Sequence, residues 1–248
     1  MILSSDKKFI FIHIPKTGGN SIRQTLIQKQ KVPLHIFGWY NGIRQEPNSP
    51  NLTEKQKREV KALLPFCKNK EYNQHITLAK LRKLMQRDGF NFDEYFKFAF
   101  VRNPWDRVCS VWNYNLSVFK KEGLTDIYVF NKKQHEKVTK TLTTCDFSFK
   151  KFVEKYTEYS WQNCQLHWLR NWKKDTVLAD YVGRYETLQK DYDIISEKIG
   201  LPLFELFKIN VNTNKKQHYT EFYDDYTRGL VAKNCKEDIE YFNYKFGE

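Results

Sequence analysis

Seven residues, Pro15-Lys16-Thr17-Gly18-Gly19-Asn20-Ser21, constrain the fold of this chain more than any other stretch. They follow a short apolar run rich in β-branched residues, Phe9-Ile10-Phe11-Ile12-His13-Ile14, which reads as a buried strand. They precede Ile22, Leu26 and Ile27, spaced for one face of a helix that Asn20 or Ser21 is expected to cap. The order is strand, tight turn, helix. Glycine supplies only 10 of the 248 residues, so the adjacent pair stands out. A turn of this kind gathers backbone N–H groups under the partial positive charge of a helix start. Lys16 adds a full charge, and the hydroxyls of Thr17 and Ser21 add donors. The glycines alone would fit an ordinary turn that needs them for its backbone angles. With the lysine and the hydroxyls they form an oxyanion cradle, most naturally for a phosphate. It is not a Walker A loop, whose lysine follows the second glycine; here Lys16 precedes the pair.

A second strand, turn and helix follow at Phe96-Lys97-Phe98-Ala99-Phe100-Val101, where Asn103 offers an N-cap and Pro104 a first helical residue. That helix is expected to run past Tyr114. Arg102 leaves the strand at the end where ligands collect in parallel sheets. Ser110 comes eight residues later, two helical turns or about 11 Å along the axis. The two can share one anion only if the turn folds Arg102 back alongside the helix. The alternative makes Asp106 and Arg107 surface ion-pairing residues and Ser110 a buried packing residue.

Further helices are expected from Thr53 to about Leu64, from Thr77, over Phe149–Tyr156 and Trp161–Trp172, from Thr187 to Gly200-Leu201-Pro202, and over Thr227–Tyr241. Val177–Tyr185 is a third candidate strand. The segment 31–51 reads as a surface excursion, 116–150 as a helical insertion or a lid, and 210–217 as a polar loop. Strands alternating with helices imply an α/β domain with a mainly parallel sheet. A length of 248 residues, 40% hydrophobic, fits a single domain over 1–248 with a substantial core. The net charge of +13 favours polyanionic partners without choosing among them. Cys67, Cys109, Cys145, Cys164 and Cys235 are odd in number and lack C-x-x-C spacing, which argues against a disulfide framework and a structural zinc. No run approaches a membrane span, and the first eight residues lack a signal peptide's apolar stretch, so a soluble, cytoplasmic protein is expected.

Phe11–Ile22 resembles the 5′-phosphosulfate loop of the sulfotransferases, closest to the carbohydrate (Golgi-type, heparan-sulfate 2-O-like) branch. Phe100–Ser110 resembles that family's 3′-phosphate motif, with the same Arg-to-Ser spacing. Val182-Gly183-Arg184-Tyr185-Glu186, Tyr219–Asp224 and Asp238–Phe246 look like its later landmarks. The resemblance implies a three-layer fold like that of the P-loop NTPases, a central sheet flanked by helices. It implies transfer of a sulfuryl group from 3′-phosphoadenosine-5′-phosphosulfate (PAPS) to an acceptor, leaving adenosine 3′,5′-bisphosphate (PAP), with no metal. Lys16, Thr17, Gly18, Gly19, Asn20 and Ser21 would hold the phosphosulfate, with Lys16 stabilising the leaving phosphate. Arg102 and Ser110 would hold the 3′-phosphate, and Lys215 and Lys216 would close over the nucleotide. His75 matches the position of a catalytic histidine in part of the family, against a capping role without chemistry; His13 is expected to be a structural partner.

His167 and His218 are substitutes for the base, while nothing in the spacing selects Glu46, Glu71 or Asp93. Trp161, Gln165, His167 and Trp168 suit a core or a sugar-stacking surface. The acceptor is expected to be a hydroxyl of a carbohydrate or small molecule, an acidic glycan included, with nucleic acid not expected. Golgi members carry a membrane anchor ahead of the first strand; here that strand begins at Phe9. Two other readings remain: a kinase-like phosphotransferase using ATP and magnesium, and a non-catalytic polyanion-binding protein on the same fold.

Overall fold

The computed structural model describes residues 1–30, 35–36, 75–120, 132–158, 164–208 and 217–248. In chain order its elements are β1 (Ile2–Ser4), β2 (Phe9–Ile12), α1 (Gly19–Gln24), β3 (His35–Ile36), α2 (Leu78–Arg87), β4 (Phe96–Val101), α3 (Pro104–Lys120), α4 (Lys132–Thr144), α5 (Phe149–Thr157), α6 (Leu166–Leu169), β5 (Arg170–Asn171), β6 (Thr176–Val177), β7 (Tyr181–Arg184), α7 (Leu188–Lys198), α8 (Asp225–Asn234) and α9 (Lys236–Phe242). A π-helical turn, Thr25–Lys29, prolongs α1. These elements form two compact units. The first is Met1–Val101 with Leu166–Val211, the second Arg102–Gln165 with Asn212–Glu248.

The first unit is an α/β unit built on a five-stranded sheet in the order β3-β1-β2-β4-β7. Strands β2, β4 and β7 run parallel, Ile12 opposite Ala99 and Val101 opposite Arg184. Both predicted apolar runs therefore lie at the centre, where a strand covered on both faces must be apolar throughout. The sheet is mixed rather than mainly parallel. β1 folds back antiparallel on β2 through the turn at Ser5–Lys8, and β3 pairs antiparallel with β1. A turn that short can join only antiparallel strands. Phe9, Phe11, Phe98, Phe100, Ile22, Leu26, Tyr192 and Ile195 pack into one core.

The third candidate strand divides. Tyr181–Arg184 joins the sheet, whereas Thr176–Val177 pairs with Arg170–Asn171 in a separate hairpin. That hairpin also ends the expected Trp161–Trp172 helix, of which only Leu166–Leu169 is helical among the described residues. Thr77 caps α2 as expected, its hydroxyl accepting the Lys80 N–H.

The second unit is helical, with a core of Trp105, Val108, Trp112, Leu142, Phe152, Val153 and Val231. Asn103 caps α3 as expected, its side-chain oxygen accepting the Trp105 N–H at 3.2 Å. The single helix expected over Thr227–Tyr241 is two, α8 and α9, meeting at Cys235. Within 116–150, α3 continues to Lys120 and α4 covers Lys132–Thr144. Residues 121–131, the expected helix at 53–64 and most of 31–51 and 210–217 lie outside the described residues. Cys109, Cys145, Cys164 and Cys235 are buried thiols, as small core residues should be. Among the described residues no helix is long and apolar enough to cross a membrane.

Candidate active site

Strand β2 delivers the chain into the glycine turn. The backbone alternates in hand there: φ is +71° at Lys16 and +84° at Gly18, while Thr17 and Gly19 stay at negative φ. Such alternation turns successive N–H groups to one side, the concave arrangement that binds anions. The cap of α1 is Gly18 rather than Asn20 or Ser21, and it makes no side-chain cap bond. The Gly18 carbonyl accepts the N–H groups of Ser21 and Ile22 at 3.0 and 3.4 Å. The helix itself supplies no acceptor for the N–H of Gly19 or Asn20. Asn20 is exposed, Ser21 buried and Lys16 half-buried. Thr17 is fully buried, and its hydroxyl donates to the Ile14 carbonyl at 2.9 Å. It thus braces the turn.

Each glycine is required for its own reason. Gly18 takes a left-handed conformation that side chains disfavour, and a Cβ there would also meet Leu188 at 2.9 Å. Gly19 lies under the His13 ring, and a Cβ on it would come within 2.3 Å of that ring. Tyr185, just beyond β7, packs on Gly18 as well. The landmark Val182–Glu186 is therefore a wall of this loop. Asp191 fixes that wall by accepting the Arg184 N–H at 2.8 Å and the hydroxyls of Tyr181 and Thr187 at 2.8 and 2.6 Å. Burial and this carboxylate push the Tyr181 hydroxyl up to about 12.

His13 is buried between the loop and His75. Its ring stacks on Phe11 at 5.9 Å and lies 5.2 Å from the His75 ring. Burial first, then the positive charges of the chain's amino terminus, His75, Arg23 and Lys16, hold its imidazole well below the ordinary histidine range. It is the structural partner that the sequence implied. His75 is exposed, and its Nδ1 lies 2.8 Å from the His13 carbonyl oxygen. A carbonyl only accepts, so Nδ1 carries the proton, and in the neutral ring Nε2 is the basic nitrogen. The indole N–H of Trp168 donates to the His75 carbonyl at 3.3 Å, fixing the residue from behind. His75, His13, the glycine pair and Lys16 are thus gathered in one unit. Among the substitutes, His167 is half-buried, with burial lowering its pKa. His218 bonds Thr220 and starts a short helical turn, and Asp93 pairs with Arg82.

In the second unit Arg102 folds back onto the first turn of α3. Its Nε and Nη2 reach Asp106 Oδ2 at 2.8 and 2.7 Å. Ser110, half-buried, is one turn beyond Asp106 on the same face. Asp106 and Arg107 are both buried rather than surface ion-pairing residues. The landmark Tyr219–Asp224 anchors the start of α3, with the Tyr223 hydroxyl donating to the Trp105 carbonyl at 2.9 Å.

Sequence reasoning missed what holds Arg102. The Gln165 side chain, fully buried, accepts the Arg102 N–H at 2.9 Å and donates to the Arg102 carbonyl at 2.8 Å. Asp238, also fully buried, accepts the Gln165 N–H at 2.6 Å. The signals were the place of Asp238 at the head of the last landmark and that of Gln165 in the aromatic and polar cluster, neither of which pointed to Arg102. Of the four residues considered for sugar stacking, Gln165 and Trp168 are buried and His167 half-buried. Trp161, Lys215, Lys216, Glu46 and Glu71 lie outside the described residues.

The strand, glycine turn and helix, and the arginine that follows a parallel strand, stand where the two sequence motifs lie. The sulfotransferase family model matches residues 1–245, and the chain belongs to that family. It is similar to an uncharacterized protein of Archaeoglobus fulgidus, 32% identical over 130 residues, covering 52% of this chain and 85% of that protein. It is also similar to carbohydrate sulfotransferase 14 of Danio rerio, 26% identical over 114 residues, or 44% of this chain. That match spans 31% of the fish protein's length.

Proposed function

We propose that this sulfotransferase moves a sulfuryl group from PAPS to a hydroxyl of a carbohydrate or small-molecule acceptor. PAPS supplies that group already activated, as a mixed anhydride of sulfate and phosphate. The donor set fits it. The β2 loop offers backbone N–H groups in an anion-binding arrangement, a lysine, and glycines whose positions a Cβ would fill. On this reading β2, the loop and α1 form a variant of the P-loop unit of a three-layer fold, with the lysine ahead of the glycines.

Lys16 neutralises the charge that collects on the phosphate side as the sulfur–oxygen bond breaks. Gly18, Gly19, Asn20 and Ser21 hold the phosphosulfate end, and Thr17 keeps the turn in shape. His75 Nε2 takes the proton from the acceptor hydroxyl as that oxygen bonds to sulfur. Arg102 and Ser110 take the 3′-phosphate. A guanidinium carries five N–H donors, enough to keep Asp106 and hold a phosphate oxygen as well. Lys215 and Lys216 close over the nucleotide. The carbohydrate-sulfotransferase likeness supports a sugar acceptor, and the net charge of +13 suits an acidic one.

The observation that carries the proposal is the double role of His13. Its ring packs on Gly19, and its carbonyl sets the tautomer of His75. Anion loop and base are thereby held by one residue. Incubation with sulfur-labelled PAPS and a panel of glycans and hydroxylated metabolites tests it. Label should pass to at least one acceptor, and His75→Asn should cut that transfer by about a hundredfold while PAP still binds. Full transfer by His75→Asn would remove it as the base.

A further inference from the structure

The side-chain amide of Gln165 pairs with the backbone of Arg102 as a neighbouring strand would. It bonds both the N–H, at 2.9 Å, and the C=O, at 2.8 Å, of the same residue, across 63 positions of chain. Gln165 is itself held. Asp238 Oδ2 takes its backbone N–H at 2.6 Å and its Nε2 at 3.3 Å, while Asp238 Oδ1 takes the Cys164 thiol at 3.3 Å. All three residues are buried in one unit. The amide fixes the peptide planes on either side of Arg102 and so aims its side chain; Asp106 fixes the guanidinium at the other end. An arginine locked at both ends loses little freedom when it grips a ligand.

We propose that Gln165 and Asp238 are positioning residues that set the selectivity of Arg102 for a nucleotide bearing a 3′-phosphate. The inference rests on the proposed role of Arg102. It makes α9, far along the chain, a determinant of nucleotide choice. The amide must both accept and donate, so neither a carboxylate nor an apolar side chain of the same shape can replace it.

The test compares binding of PAP and AMP to the wild type, Gln165→Met and Asp238→Asn, with the melting temperature of each. The wild type should prefer PAP. Gln165→Met, similar in shape and without the amide, should bind PAP about tenfold more weakly with AMP binding unchanged. Its KM for PAPS should rise at constant kcat, which a loss of folded protein alone would not produce. Asp238→Asn should shift in the same direction. A folded Gln165→Met or Asp238→Asn that keeps the full preference for PAP overturns the inference and leaves the proposed function standing. A wild type without any preference sinks the proposed role of Arg102 and the inference with it. Hydrogen exchange on the unmodified protein needs no variant: PAP should slow exchange of the Arg102 amide more than AMP does, and equal effects overturn the inference.

Discussion

At the scale of single residues the site depends on what His13 touches. Its imidazole is held below the ordinary range, chiefly by burial. In the unfolded chain the same ring takes up a proton as the pH falls through about 6.5. The folded protein therefore binds fewer protons in that window, and acid favours the unfolded chain. The contribution of the neutral buried ring is fully present above about 6.5 and declines as the pH falls from there toward the depressed folded value. Melting temperatures measured from pH 8 downward should decline in that window more steeply for the wild type than for His13→Asn; equal slopes would show that His13 titrates normally. Gly19→Ala drives a methyl group into this ring and should cost about 1–3 kcal/mol in urea unfolding. An unchanged unfolding midpoint would mean that the ring yields freely. The Gly18–Gly19 pair and the lysine ahead of it were legible as an unusual cluster beside a strand. The tautomer of His75 was not, because it depends on the carbonyl of a residue 62 positions away.

At the scale of elements, local rules succeeded wherever the signal was local. Thr77 and Asn103 cap their helices because the acceptor and the orphan N–H lie within three residues. Thr77→Ala should therefore cost about 1 kcal/mol by denaturant unfolding, and no cost would mean that the cap is not formed in solution. The same rules failed at α1, where the left-handed turn at Gly18 ends the loop and makes Asn20 and Ser21 helical residues. They also missed β1 and β3, with three and two residues, whose pairing depends on a distant partner rather than on their own composition. Surface ion pairing by Asp106 and Arg107 was one alternative for the second motif; Asp106 instead pairs with Arg102, and the burial of that pair is tertiary. Removing one partner of a buried ion pair leaves the other unpaired, so Asp106→Ala should destabilise by roughly 3 kcal/mol or more. A fully stable Asp106→Ala would contradict the burial.

At the scale of the whole molecule the family likeness spans both units, since the match covers residues 1–245. The division into two units falls between Val101 and Arg102, inside the second motif. The four described cysteines are buried thiols. Burial pushes the Cys235 thiol up to about 12, so it stays protonated and unreactive. Peptide mass spectrometry should find these four unmodified after brief alkylation of the folded protein. Rapid labelling would contradict their burial. The long-range constraints on the site, Gln165 on Arg102 and Tyr185 on Gly18, were hidden from the sequence because they join distant segments.

On the proposed function, Lys16 and its glycine turn assist transfer of the sulfuryl group from PAPS to the acceptor, with PAP leaving. Single-turnover transfer from sulfur-labelled PAPS by the wild type and by Lys16→Ala tests it most directly. Lys16→Ala should melt with the wild type and transfer about a hundred- to a thousandfold more slowly; a folded variant that transfers at the wild-type rate would contradict the claim.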